Sequence, residues 1–392
     1  MKQKNIYSQN LKLTAVETLL TSIGAGFSVA IINLFWNSIG MNQTDIGFTQ
    51  MMFTIILVCL DIPMGYLADR FNRKIVNIIG DIGVALTFLF YAFAQNMFMA
   101  IIAECMLGLF IAMTNGVDQA FIKYNADMLD PSGNLFKKVN TKLTTYRHIS
   151  TFIVMLIGGF IAKYSLRLTI AMSFVPYIIG GVLAFFIKDY AKKAESKHKN
   201  VLKDMFFTTK EIMKSKKTRT YVLTYVVGKE MTHPHIWVFT PLMILVGVPI
   251  EIVSIGWIFT EIFKVIGSKL AEKIINIKFS VKFAISVLIT VLWMSVLIIN
   301  TNIFTIWVFV LNGLVLGILS ANMSNHLQES VKEEYQTSVV SIASTGARLF
   351  YIPLVYLINY LGNIKLQLAF VGMLIIFTPI SLIIYKKLKK FE

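Results

Sequence analysis

The side chains here best suited to carry a proton or hold a polar solute are ionisable residues set inside apolar stretches. Glu104, Lys229, Glu230, His233, Glu261, Lys264 and Arg348 form one group, and Glu17, Asp118 and Arg147 a second. An ionisable group at the centre of a membrane helix costs about 2.5–3.5 kcal/mol on insertion scales, so each needs a partner, a wet cavity or a task. A carboxylate in a partly dry pocket shifts toward neutrality and can take up and release a proton during a cycle. Glu104 and Glu230 fit that role best, because neither has a Lys or Arg three or four positions away. Glu230 and His233 are three apart and share a helix face, as do Glu261 and Lys264, whose plainer reading is an intrahelical ion pair. Lys229 and Glu230 are adjacent and point about 100° apart, so they form no local pair. Pro234, beside His233, removes a helix hydrogen bond and permits a bend that a conformational cycle can use.

The second group lies lower. Glu17, Asp118 and Arg147 fall at one level near the inner ends of their stretches, an arginine between two carboxylates, and read as an inner gate or charge network. Asp61 and Asp81 sit at a similar level. His148, next to Arg147, reads as a packing residue. His233-Pro234-His235 lacks a third ligand at metal-site spacing, and Cys59 and Cys105 both fall within apolar runs, so no metal site, cofactor or disulfide framework is expected.

The elements that position these groups follow from composition. The chain is 56% hydrophobic and 15% charged, where a soluble fold carries about a quarter charged residues. A bilayer core of roughly 30 Å needs about 20 helical residues. By that ruler apolar spans fall near 13–36, 47–68, 75–94, 97–120, 143–163 and 167–187. Six more follow near 220–243, 250–272, 279–299, 302–323, 338–360 and 366–385. The expectation is an all-α membrane protein of twelve transmembrane helices. The first span has no short apolar core followed by a small-residue cleavage site, so it is expected to stay as a helix.

Charge sets the orientation. With both termini on one side, 30 of the 37 Lys and Arg residues face that side, which the positive-inside rule makes the cytoplasm. Lys163, Arg167 and Lys365 face the other. The net charge of +16 is therefore an orientation signal, and no nucleic-acid partner is expected. A multi-pass protein of the inner membrane with both termini cytoplasmic follows.

The longest polar stretch, Lys188 to Arg219, separates an N-terminal bundle over 1–187 from a C-terminal bundle over 220–392. Within the 188–219 linker, Val201, Leu202, Met205, Phe206, Thr209, Ile212 and Met213 recur at helical spacing with Lys203, Lys210 and Lys214 between them. That pattern predicts a helix on the inner leaflet, with a mobile tether as the alternative. The halves repeat. Leu67-Ala68-Asp69-Arg70 ends the second span of one half and Leu270-Ala271-Glu272-Lys273 that of the other. Leu166-Arg167-Leu168 and Ile364-Lys365-Leu366 open the two sixth spans. Two pseudo-symmetric six-helix bundles are expected, with a pathway on the axis between them.

On these residues the sequence resembles the major facilitator superfamily. Gly65, Leu67, Ala68, Asp69, Arg70, Arg73 and Lys74 match that family's loop 2–3 signature, and Asp61-x-Pro63-x-Gly65 resembles the end of the second helix in a bacterial subgroup. Asn72 replaces the usual glycine. The Thr114–Phe121 stretch, TNGVDQAF, is similar to a pattern at the same place in many bacterial members. The resemblance implies that Gly65, Asp69, Arg70 and Arg73 act as a latch, Asp69 facing the N-terminus of span 11. Glu104 stands where many drug–proton antiporters of the family carry arginine, and span 5 lacks their Gly-Pro signature.

The function that follows is secondary active transport by alternating access. No Walker A loop is present, and no signature of a membrane hydrolase or metalloprotease, so the chain reads as a transporter and not an enzyme. Proton-coupled export of a small amphipathic or drug-like compound by an efflux antiporter is the leading expectation, in line with 30 Phe and 19 Met residues. A proton-coupled importer of a sugar, peptide or organic acid is the alternative, and a non-transporting receptor the competing class. The expected partners are a small-molecule substrate, protons and lipid, with the chain acting as a monomer.

Overall fold

The computed structural model describes residues 2–70, 73–188, 201–274, 276–332 and 335–392, apart from the side chains of residues 2, 3, 62, 65–70, 201–206, 321 and 337. Every regular element among them is helical. The chain divides into two compact units, Met1–Met41 with Met52–Ser196, and Asn42–Met51 with Lys197–Glu392.

The first unit is built from α1 (Lys2–Val29), α2 (Ile32–Ser38), most of α3 (Gln43–Arg70), α4 (Arg73–Phe93), α5 (Met97–Thr114) and α6 (Val117–Leu129). It is completed by α7 (Asn134–Ala162), α8 (Leu166–Met172) and α9 (Phe174–Ala184). Its helix starts carry the expected chemistry: the Asn96 side chain accepts from Met99 N at 3.0 Å, and Ser165 Oγ accepts from Leu168 N at 3.1 Å. Within the unit α1 packs against α6, α7 and α9, and α4 against α5 and α9.

The second unit contains α10 (Val201–Ile212), α11 (Lys216–Glu230), α12 (Ile236–Leu245), α13 (Ile250–Lys273) and α14 (Phe279–Ile299). It continues through α15 (Leu311–Glu329), entered by a 3-10 turn over Thr305–Val310, to α16 (Gln336–Ile364) and α17 (Leu366–Leu388). Residues 42–51 group here because Gln43 Nε2 donates to Trp237 O at 2.6 Å and to Asn359 Oδ1 at 2.7 Å. Its core is aromatic, with Phe239 stacked on Phe309 at 3.4 Å between centroids and Trp293 and Phe370 edge-on beside them.

Among the described residues nine stretches are long and apolar enough to cross a membrane, and α1 with α2, bent by 44°, makes a tenth. The two remaining expected crossings are α11 with α12, interrupted around Pro234, and α13, which carries Glu251, Glu261, Lys264 and Lys269. The helix over Val201–Ile212 lies where the linker's periodicity puts one, and Ile212 at its end is buried in the core of the second unit.

Candidate functional site

The polar centre of the first unit comes from four helices, α1, α4, α6 and α7. On α1, Asn10, Thr14, Glu17, Thr18 and Thr21 recur every three or four residues and so form one face. On α4, Asn77 and Asp81 are one turn apart. Span 4 breaks between α5 and α6 at Gly116, whose φ of +80° is a left-handed conformation that glycine adopts at least cost. The break starts a new helix inside the span and puts Asp118 in its first turn, where a carboxylate is favoured by the helix dipole. Arg147 lies in α7.

Because α1 packs against α6, α7 and α9, and α4 packs against the same α9, these residues meet. Asn77 Nδ2 donates to Glu17 Oε1 at 2.5 Å, Thr18 Oγ1 donates to Asp118 Oδ2 at 3.3 Å, and Arg147 Nε donates to Ser22 Oγ at 2.8 Å. Glu17 and Asp81 are within hydrogen-bonding reach of each other, and Asp118 is close enough to act on both electrostatically. Glu17 and Asn77 are 0% exposed and Asp81 is 3% exposed. Glu17 Oε2 and Asp81 Oδ2 nevertheless have no hydrogen-bond donor among the described residues.

Asp81, Asp118 and Arg147 line a cavity of about 640 Å³, together with Thr18, Ser22, Thr114, Asn115, Gln119, Asn140, Thr144, His148 and Tyr177. That volume falls in the roughly 300–1,000 Å³ range of small-molecule sites. Glu17 does not reach its wall and stands behind Asp81. The guanidinium of Arg147 is exposed and makes no protein hydrogen bond beyond that to Ser22 among the described residues. Three carboxyl groups therefore stand near one guanidinium, which acts electrostatically on Asp118.

The remaining expected site residues are spread over both units. Glu104 lies in the first unit, buried, and accepts from Tyr91 Oη at 2.5 Å. Lys229, Glu230 and Arg348 lie in the second and interact electrostatically at the facing surfaces of α11 and α16. His233 Nδ1 is 3.7 Å from Glu230 Oε2, and its ring packs on Tyr351 with centroids 4.7 Å apart. His235 turns the other way, fully buried against Trp293 and Phe309. Among the described residues no cluster of His, Cys, Asp or Glu has metal-holding geometry. Glu261 and Lys264 approach to 3.4 Å on α13. In the loop 2–3 motif, Arg73 opens α4, while the side chains of Gly65, Asp69 and Arg70 lie outside the described residues.

Sequence reasoning put Glu17, Asp118 and Arg147 together but left Asp81 and Asn77 out of the candidate set. Their signal was present: two polar residues four apart in an otherwise apolar span, beside a polar face on α1.

The family model for the Major Facilitator Superfamily matches residues 15–355. An uncharacterised MFS-type transporter of Bacillus subtilis, YitZ, is 25% identical over 151 residues, 38% of this chain and 89% of that protein. Another, MJ1560 of Methanocaldococcus jannaschii, is 24% identical over 114 residues, 29% of this chain and only 30% of that protein. Among solved structures, the nucleoside transporter NupG superposes with a TM-score of 0.76 at 13% identity over 98% of each chain. A bacterial homologue of the human lysosomal transporter Spinster gives 0.74 at 12% identity over 98% of each chain.

Proposed function

The chain belongs to the major facilitator superfamily, and from that premise we propose that it is a proton-coupled secondary transporter whose solute binds in the cavity of the first unit. The observation that carries this reading is the buried Glu17–Asp81 pair. Each carboxyl has a buried oxygen without a donor, and one shared proton satisfies both, with one carboxyl donating to the other. Removing that proton leaves two like charges that repel by about 4 kcal/mol at roughly 4 Å and an effective dielectric of about 20. Proton loss is then favourable only with another positive charge, water or a rearrangement nearby. That condition links proton transfer to the transport cycle.

The lining supports a small cargo with polar groups, because most residues on the wall carry a hydroxyl, amide or charged group, although Val84, Ile111, Ile122 and Leu143 give the wall an apolar share about as large. Uptake of a polar nutrient with the proton gradient is the direction that suits such a cargo. The basic-residue asymmetry supports an inner-membrane location with both termini cytoplasmic. Glu104 and Glu230 remain candidates for a second proton site, since each is buried in its span.

The test is proton flux. Proteoliposomes loaded with a pH-sensitive dye and challenged with pools of amino acids, dipeptides, nucleosides, sugars and amphipathic cations should show solute-dependent pH change. Glu17→Gln and Asp81→Asn should each abolish that change. Retained coupling in both, with loss in Glu104→Gln or Glu230→Gln, moves the proton site away from the pair.

A further inference from the structure

The cavity wall carries both signs of charge in forms left open for a solute. Arg147, which lines the cavity, is held by its Nε on Ser22, which leaves its two outer guanidinium nitrogens without a protein acceptor among the described residues. A guanidinium positioned in this way presents a two-pronged donor that matches a carboxylate. It forms no ion pair closer than 4 Å with Asp118, although the two interact electrostatically across the same cavity. Asp118 accepts a hydrogen bond from Thr18 Oγ1 on Oδ2, and the Asn77 amide is within hydrogen-bonding reach of its carboxylate. Asp81, nine-tenths and more buried, also lines this cavity, with Glu17 behind it.

We infer that the cavity selects small zwitterions, with the solute carboxylate on Arg147 and its ammonium on Asp118. The physical reason is that Arg147 and Asp118 line the same cavity and neither has an ion-pair partner within 4 Å among the described residues. A solute with both charges makes two charge-assisted contacts at once, whereas a solute with one charge makes only one. The hydroxyl and amide groups of Thr114, Asn140 and Thr144 then serve a polar side chain. The inference rests on the proposal that this cavity is the solute site, and it names the class of solute.

The test uses matched probes on the purified full chain: L-serine, L-glutamine and L-alanyl-L-alanine, each with its C-terminal amide, which lacks the anion, and its N-acetyl form, which lacks the cation. Binding is read by thermal shift and titration calorimetry. At least one zwitterion should bind about tenfold or more tightly than both its derivatives. Arg147→Gln should erase the preference over the amide and keep that over the N-acetyl form; Asp118→Asn should do the reverse. Ser22→Ala, which keeps every charge and removes only the Nε anchor, should weaken discrimination against the amide by a smaller factor. It serves if Arg147→Gln does not fold.

Equal weakening of all three probe types in Arg147→Gln overturns the inference, as does an amide that binds best, or no binding by any zwitterion. If proton flux in liposomes then responds to a sugar or an organic cation and is lost in Glu17→Gln, the zwitterion class alone has failed. If Glu17→Gln and Asp81→Asn both keep their flux, the proton-coupled reading has failed with it.

Discussion

At the scale of single residues, Glu17 shows how burial turns an ordinary acid into a candidate device. It has one donor, the Asn77 amide, and a second oxygen that only a proton on itself or on Asp81 can satisfy. Replacing it by Gln supplies a permanent donor toward Asp81 and mimics the proton-loaded pair. Glu17→Gln should therefore keep solute binding and solute–solute exchange while proton flux falls about tenfold or more. Glu17→Ala should lose binding as well, because Asn77 and Asp81 are then left without their partner. Identical behaviour of the two variants in exchange assays counts against the shared proton. Thermal stability is the wrong readout for this pair. Polar contacts between membrane helices contribute only about 0.6 kcal/mol on average, so the effect should appear in transport and not in unfolding temperature.

At the scale of elements, the site depends on helix breaks and close helix contacts that few residue types allow. Gly116 ends the break between α5 and α6 with a positive φ, and a Cβ there would meet no atom within 4 Å. The cost of Gly116→Ala is therefore conformational, about 1 kcal/mol, and should be recovered by Gly116→Asn, which tolerates the left-handed region. Comparing the unfolding midpoints of the two variants checks this; equal midpoints remove the argument. The α13–α15 contact is sterically tighter. A Cβ on Gly313 would lie 1.9 Å from Thr260 O, and one on Gly317 2.1 Å from Lys264 O. Backbone must move to admit either, so Gly313→Ala and Gly317→Ala should each destabilise by about 1–3 kcal/mol. A detergent-solubilised variant that unfolds at the wild-type temperature contradicts that packing.

For the whole molecule, the distribution of basic residues makes a prediction that is independent of the site. On the proposed orientation, with both termini cytoplasmic, cysteine placed at Lys389 in a background lacking Cys59 and Cys105 should react with a membrane-impermeant maleimide only in inside-out vesicles. Cysteine at Lys365 should react only from the opposite side. Labelling of both from one face rejects the orientation.

Hydropathy and charge asymmetry act over about 20 residues and need no knowledge of which helix touches which. The membrane class, the apolar spans, the family and the expectation of a helix near 201–213 were therefore legible in the chain itself. Part of the candidate site was legible too, because a charge inside an apolar span announces itself: Glu17, Asp118 and Arg147 were singled out that way as candidates. Which charges meet is a different kind of question. Asn77 reaches Glu17 across 60 residues, Thr18 reaches Asp118 across 100, and Arg147 reaches Ser22 across 125. No local period encodes those pairings; they follow from α1 lying against α6, α7 and α9, and from α4 lying against the same α9. Tertiary packing decided that Asp81, a lone acid in an apolar span by sequence, stands between Glu17 and the cavity, and that Glu104 instead satisfies Tyr91. The reason is physical: the free energy of a buried charge is set by the groups within a few ångströms of it, and in a helical membrane protein those groups come from other helices.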